Sequence, residues 1–228
     1  MTVTVEPKTV TAQGKRLLLD AALRLAAVSR SLSGLGLREL AREAGLNPNT
    51  FYRHFKTVDD LGLAMIAEMA ARIRQPLRDL RFEAAARAGQ DSPPTLAFGV
   101  DLGRGQRVCS ETVELFFEYA AQNPQAFIVG VRELHGSSKV LREALEQMME
   151  DFAGDMAEDL GTLQLLPSLE PAAVRQVSSM ISRQLFQQSL DYIEQVEQRP
   201  AICAQAQQQI LMMFAGATVL QAVGVLRL

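Results

Sequence analysis

Leu37-Arg-Glu-Leu-Ala-Arg-Glu-Ala-Gly-Leu-Asn-Pro-Asn-Thr-Phe-Tyr-Arg-His-Phe55 decides the fold of this 228-residue chain. Leu37, Leu40, Ala41 and Ala44 recur at three- and four-residue spacing, which predicts one helix. Gly45 then supplies the left-handed backbone that stops it and turns the chain within three residues. Asn47 is placed to cap a second helix, and Pro48 suits its first turn, where a missing N–H has no partner to lose. The spacing therefore predicts a helix-turn-helix with its second helix over Asn47 to Phe55. Leu40, Ala41, Ala44, Leu46, Phe51 and Phe55 form its small shared core.

That core leaves Asn49, Thr50, Tyr52, Arg53 and His54 on or beside the exposed face of the second helix. Asn and Arg can read base edges bidentately, while Tyr and His suit phosphate oxygens. The plain alternative is a solvated amphipathic helix. Charge distribution favours nucleic acid. The whole chain carries −3, but residues 1–81 hold 13 Lys/Arg against 8 Asp/Glu, a net of +5. Residues 82–228 hold 10 against 18, a net of −8. A basic head on an acidic body suits separate DNA and ligand modules.

Outward from the head, the dominant period stays helical and no alternating run is long enough for a strand. Leu17, Ala21, Leu25 and Val28 mark a first helix; others are expected over Val58 to Arg81, Gln106 to Gln122, up to Leu134, Lys139 to Leu160, Pro171 to Glu197 and Ala201 to Val225. The expected class is all-α with about nine helices: residues 1–60 a helix-turn-helix DNA-binding domain, residues 61–228 a ligand-binding and dimerisation domain. Ala88 to Gly105, with four glycines and Pro93-Pro94, reads as a mobile connection. Met1 to Gln13 is polar and has no apolar targeting core. Ile210 to Leu226 is short for a membrane span and reads as a buried interface helix, so no membrane insertion is expected. Cys109 and Cys203 lie far apart without metal-ligand spacing; no metal, cofactor or disulfide is expected, and a reduced cytoplasm is the default setting.

The segment Leu37 to Gly45, followed by Asn49-Thr-Phe-Tyr-Arg-His-Phe55, resembles the TetR family of bacterial regulators. The resemblance implies that Thr50, Tyr52 and His54 touch the DNA backbone or bases, that Asn49 and Arg53 read sequence, and that Arg38 approaches a phosphate. Asn47 and Lys56 complete the candidate DNA-binding set. Two positions depart from the family pattern. Gly36 stands where many members have a Ser or Thr that caps and touches phosphate, and Val58 stands where many have Lys, with Lys56 two residues earlier. Thr57 with Asp60 reads as a capping-box variant for the helix that follows. The family layout also implies a palindromic double-stranded operator, a hydrophobic small-molecule effector and a homodimer through the last two helices.

A narrower resemblance concerns the effector. Tyr52-Arg-His-Phe-Lys-Thr-Val-Asp-Asp-Leu-Gly-Leu63 and Asn123-Pro-Gln-Ala-Phe127, followed by Arg132-Glu133, Gly136-Ser-Ser138 and Arg142, are similar to regulators of unsaturated fatty-acid synthesis and desaturation, which implies a long-chain acyl-CoA effector. Phe116, Phe117, Phe127, Met148, Met149, Phe152, Met156 and Phe186 are then candidates for an acyl tunnel, although ordinary core explains each as well. Arg132, His135, Lys139, Arg142 and Arg183 are candidates for a head group, although plain surface charge explains them too. Val174, Val177, Ile181, Leu185, Leu190 and Ile193, with Ile210, Met213, Phe214, Ala217 and Leu220, form two stripes that suit a dimer seam.

Two rivals remain. A repressor of an efflux or detoxification operon would take a drug-like ligand, with Glu111, Glu114 and Glu118 as candidate pocket acids. An all-α lipid enzyme of the di-iron kind needs paired Glu-x-x-His, but Phe51 and Arg132 stand three residues before the two histidines, His54 and His135. No catalytic residue is therefore expected.

Overall fold

The computed structural model describes residues 7–28, 31–91, 96–97 and 100–226, with side chains placed over 12–28, 31–88 and 103–226. Among the described residues are nine α-helices: α1 (Pro7–Val28), α2 (Leu37–Glu43), α3 (Pro48–Phe51), α4 (Val58–Asp91), α5 (Leu102–Gln122), α6 (Pro124–Leu134), α7 (Lys139–Thr162), α8 (Pro171–Glu194) and α9 (Arg199–Ala222). The all-α class holds apart from one antiparallel pair of two-residue strands, β1 (Leu96–Ala97) with β2 (Val100–Asp101). The connection expected over Ala88 to Gly105 is shorter than the sequence suggested. Helix α4 runs ten residues past Arg81 to Asp91, and α5 already begins at Leu102; the rest of that expectation falls partly outside the described residues. Helix α4 also contains Pro76, whose missing N–H removes one bond from its interior.

The chain forms two compact units. The first holds the described residues up to Met69 together with Gln125–Glu146, and the second holds Ala70–Pro124 and Gln147–Leu228. Helices α4 and α7 supply residues to both.

The first unit packs around Leu18, Leu40, Phe51, Leu61 and Leu141, all fully buried. Removing each such side chain from water contributes roughly 1.5–3 kcal/mol. Gly62 lets α4 approach α7 closely, since a Cβ there would stand 2.7 Å from Leu141 Cδ2. The Leu32 N–H donates to Glu133 Oε1 at 2.6 Å, and Arg132 Nη1 donates to the carbonyls of Ala26 and Ala27 at 3.0 and 2.8 Å. An arginine at those carbonyls occupies acceptors that the end of α1 leaves without intrahelical partners.

The second unit packs α5, α8 and α9 around Phe117, Ile181 and Ala206. A ladder of charges joins α4 to α7. Arg74 Nη2 donates to Asp155 at 2.9 Å, Arg78 reaches Asp155 at 3.2 Å and Asp159 at 2.7 Å, and Arg81 Nε donates to Asp159 at 2.8 Å. Arg81 and Asp159 are both buried, at 4% and 0% exposure. Desolvation at such depth is tolerated because each charge has its partner. For Asp155, burial pushes the carboxyl pKa up, but hydrogen bonding and charge from Arg74, then Arg78 and Arg81, outweigh it and hold the pKa below the ordinary value.

Two expectations follow. Asp159→Asn leaves two guanidinium groups short of a buried partner and lowers unfolding free energy by roughly 3 kcal/mol, read from the urea midpoint. Because Asp155 has a depressed pKa when folded, its contribution is present above the ordinary aspartate range and lost as pH falls through the folded value. The acid limb of a stability–pH curve should flatten in Asp155→Asn; an unchanged limb would remove Asp155 as its source.

Candidate DNA-reading face and effector cavity

The turn behaves as its residues dictate. Gly45 sits at φ +67°, and Asn47 Oδ1 accepts from the Asn49 N–H at 2.9 Å. The second helix is shorter than the sequence suggested: α3 proper covers Pro48–Phe51. Beyond it the chain tightens, with Arg53 N–H to Thr50 C=O at 3.2 Å and His54 N–H to Phe51 C=O at 2.9 Å, while Phe55 N–H keeps a four-residue bond to Phe51 C=O at 2.9 Å. Three-residue closures tighten a helix end without reversing its direction. The capping box before α4 is present: Asp60 Oδ2 accepts from the Lys56 and Thr57 N–H groups at 3.0 Å each, and the Asp60 N–H donates to Thr57 Oγ1 at 3.1 Å.

The candidate DNA residues fall on one short stretch plus α2. Arg38, Asn47, Asn49, Tyr52, Arg53 and Lys56 are exposed; Thr50 and His54 are half-buried. Tyr52 stands 62% exposed although its ring edge packs on Phe51, an unusual position for an aromatic unless something covers it. Gly14 opens the space for His54, since a Cβ there would stand 2.9 Å from Nε2. Burial, then the charges of Lys15 and Arg53, push the His54 imidazole below its ordinary value.

The second unit contains an apolar cavity of about 390 Å³. Its walls come from α4, α5, α7, α8 and α9 and include Val108, Met156, Ile181, Leu185 and Phe214. At its lining stand Arg81, Cys109 and Thr112. Burial pushes the Cys109 thiol up to about 12, so it is a neutral sulfhydryl. Of the residues singled out for a ligand, Met156 lines this cavity and the others do not. Phe127, Arg132 and His135 belong to the first unit, where Phe127 is core and Arg132 serves the end of α1. Phe117 stacks on Tyr192 at 4.9 Å, with Phe116 against its edge. Met149 and Phe186 are buried and Phe152 half-buried in the second unit. The α7 part of the cavity, Met156 and Leu160, lies one to two turns beyond Met149 and Phe152. Gly105, Val108, Cys109 and Thr112 recur at helical spacing on α5. That small-residue face was the signal available in the sequence, and the larger aromatics next to it outweighed it.

Among the described residues, no helix is long and apolar enough to cross a membrane, and no cluster of His, Cys, Asp and Glu is placed to hold a metal.

Residues 18–65 match the family model of the bacterial regulatory proteins of the tetR family. The head is a TetR-family DNA-binding domain. The likeness in fold extends over most of the chain. The fatty acid degradation regulator FadR from Bacillus halodurans superposes with a TM-score of 0.63 at 16% identity, covering 93% of this chain and 97% of that one. FadR from Bacillus subtilis in complex with stearoyl-CoA gives 0.58 at 16% identity, over 88% and 98%. A TerR/AcrR family regulator from Aquifex aeolicus VF5 gives 0.57 at 18% identity, over 88% and 99%. A TetR-family DNA-binding head therefore stands on a chain whose fold is shared with these regulators.

Arg53→Ala should weaken specific operator binding by about 1–3 kcal/mol and relax discrimination at one base position; unchanged discrimination in a mutated-operator panel would assign Arg53 to phosphate instead. If His54 meets a phosphate, binding takes up a proton, because the free imidazole is held neutral. Operator affinity measured by anisotropy should then rise as pH falls from 8 to 6, and His54→Gln should abolish that slope.

Proposed function

We propose that this regulator is a repressor whose operator affinity is controlled by a long-chain acyl-CoA, and that it tunes genes of fatty-acid unsaturation. The observation that carries the reading is an apolar cavity walled by five helices in the second unit, in a chain whose first unit carries an exposed basic-aromatic reading face. Apolar walls of Leu, Ile, Met and Phe suit a flexible chain. A structural neighbour is described in complex with stearoyl-CoA, which supports an acyl ligand here. In this reading residues 1–60 bind a palindromic double-stranded operator and residues 61–228 bind effector and dimerise. The drug-inducer reading has less behind it. Glu111 pairs with Arg87, and Glu114 and Glu118 are exposed rather than lining the cavity.

The homodimer we propose uses a face that overlaps the stripes read in the sequence only in part. Val174, Val177, Ile181, Leu185, Ile210, Phe214 and Ala217 are buried within the chain's own core. On α9 the exposed residues include Gln205, Gln208, Met212, Ala215, Val219 and Ala222, at alternating three- and four-residue spacing, together with Leu220 of the sequence-read stripe. Met212 is 63% and Val219 48% exposed, and such a seam suits a second copy of the same helix. The two heads of that dimer would read half-sites about 34 Å apart.

The test is a thermal-shift and anisotropy panel with oleoyl-CoA, palmitoyl-CoA, free oleate, CoA alone and cationic drugs, on DNA recovered by binding-site selection. Acyl-CoAs should stabilise the protein and change operator affinity, while CoA alone should do neither. Operator affinity should also fall with salt, with a log–log slope near −0.9 per phosphate contacted. A response to drugs with silence from acyl-CoAs would replace the lipid effector by a drug-like one.

A further inference from the structure

The cavity's polar lining can be accounted for group by group. Arg81 is bound by Asp159, which also accepts from Arg78. Thr218 Oγ1 donates to the Phe214 carbonyl at 2.9 Å, the usual return bond of a helical threonine. Cys109 Sγ lies 3.9 Å from the Gln207 carbonyl and keeps its proton. Gln106 is exposed and meets solvent. Thr112 differs from all of these. It is 8% exposed, it lines the cavity, and its Oγ1 has no hydrogen-bond partner. A buried hydroxyl in that state is unfavourable in the empty protein and favourable as soon as a ligand atom pairs with it.

From this geometry we propose that Thr112 anchors the ligand, and that the ligand group it anchors is an uncharged oxygen: the carbonyl of an ester, thioester or amide, or an alcohol. The proposal deepens the effector reading above and rests on it for the site, but not for acyl-CoA as the ligand. A carboxylate would need a cation, and the cation at the wall is Arg81. Drawing Arg81 away leaves Asp159, at 0% exposure, with less compensation for its buried charge. A cationic head would meet apolar walls and the Arg81 charge. A neutral acceptor or donor disturbs neither and satisfies the Thr112 hydroxyl. Selection by charge follows from one unpaired hydroxyl and one already paired arginine lining the same cavity.

A chain-matched series tests this on the full-length protein: methyl laurate, 1-dodecanol, laurate and dodecyltrimethylammonium, with lauroyl-CoA alongside. Binding is measured by calorimetry for the wild type, Thr112→Val and Thr112→Ser. The ester and the alcohol should bind at least 10-fold more tightly than the two ions. Thr112→Val should lose about 5- to 10-fold for the ester and alcohol, and Thr112→Ser should keep most of the affinity. Valine matches the shape of threonine and removes the orphaned hydroxyl, so the ligand-free Val variant should melt a few degrees higher than wild type, a gain a merely structural threonine would not show. Equal affinity for laurate and its methyl ester, or full ester binding by Thr112→Val, would overturn the proposal. Silence from lauroyl-CoA, with ester binding that depends on Thr112, would overturn the acyl-CoA reading and leave this one standing.

Discussion

The Arg81–Asp159 pair is the interaction on which the second unit depends. Both side chains are buried, and each is tolerable there only because of the other. The pair ties α4 to α7, brings Arg81 to the cavity wall and ends a ladder that continues through Arg78, Asp155 and Arg74 towards solvent. It also sets what the cavity can hold. An arginine facing an empty apolar space would attract any anion, whereas an arginine already matched by a buried aspartate presents an almost neutral surface. The same contact that holds two helices together therefore acts as a charge filter.

In the first unit the organising constraint is backbone geometry. Gly45 in the left-handed region and Asn47 at the start of α3 fix the turn, and Phe51 at 0% exposure pins the short helix to the core. With the inner face held, Asn49, Tyr52 and Arg53 face outward together. The head is small, and its rigidity comes from capping and from a handful of large side chains rather than from helix length; four residues of α3 would not hold a helical form unaided. Glu133 and Arg132 contribute differently, by satisfying backbone groups at Leu32 and at the end of α1. Arg132, a head-group candidate in the sequence, is fastening for the head.

The candidate site was unevenly legible. The reading face could be found because its signal is local: a cap, a glycine and an apolar period leave a definite set of residues outside. The cavity could not, because emptiness is not a property of any residue. Phe116, Phe117 and Phe186 advertise apolar volume, yet large side chains tend to fill space, and here Phe117 does so against Tyr192. The space is left where smaller groups, Gly105, Cys109 and Thr112, face branched chains from other helices. The same logic governs the apolar stripes of α8 and α9. Period identified a buried face on each helix, but not whether its own chain or a second copy buries it.

Local chemistry alone determined the all-α class, the turn at Gly45, the caps at Asn47 and Thr57, and the polar face that follows, since each depends on residues within a few positions of one another. Tertiary structure alone decided that α4 runs on to Asp91, that Arg81 is matched by Asp159 seventy-eight positions away, and that Thr112 is left without a partner inside a cavity. Those outcomes depend on which side chains meet across the chain. A helical period specifies direction around an axis, but it does not say what stands opposite.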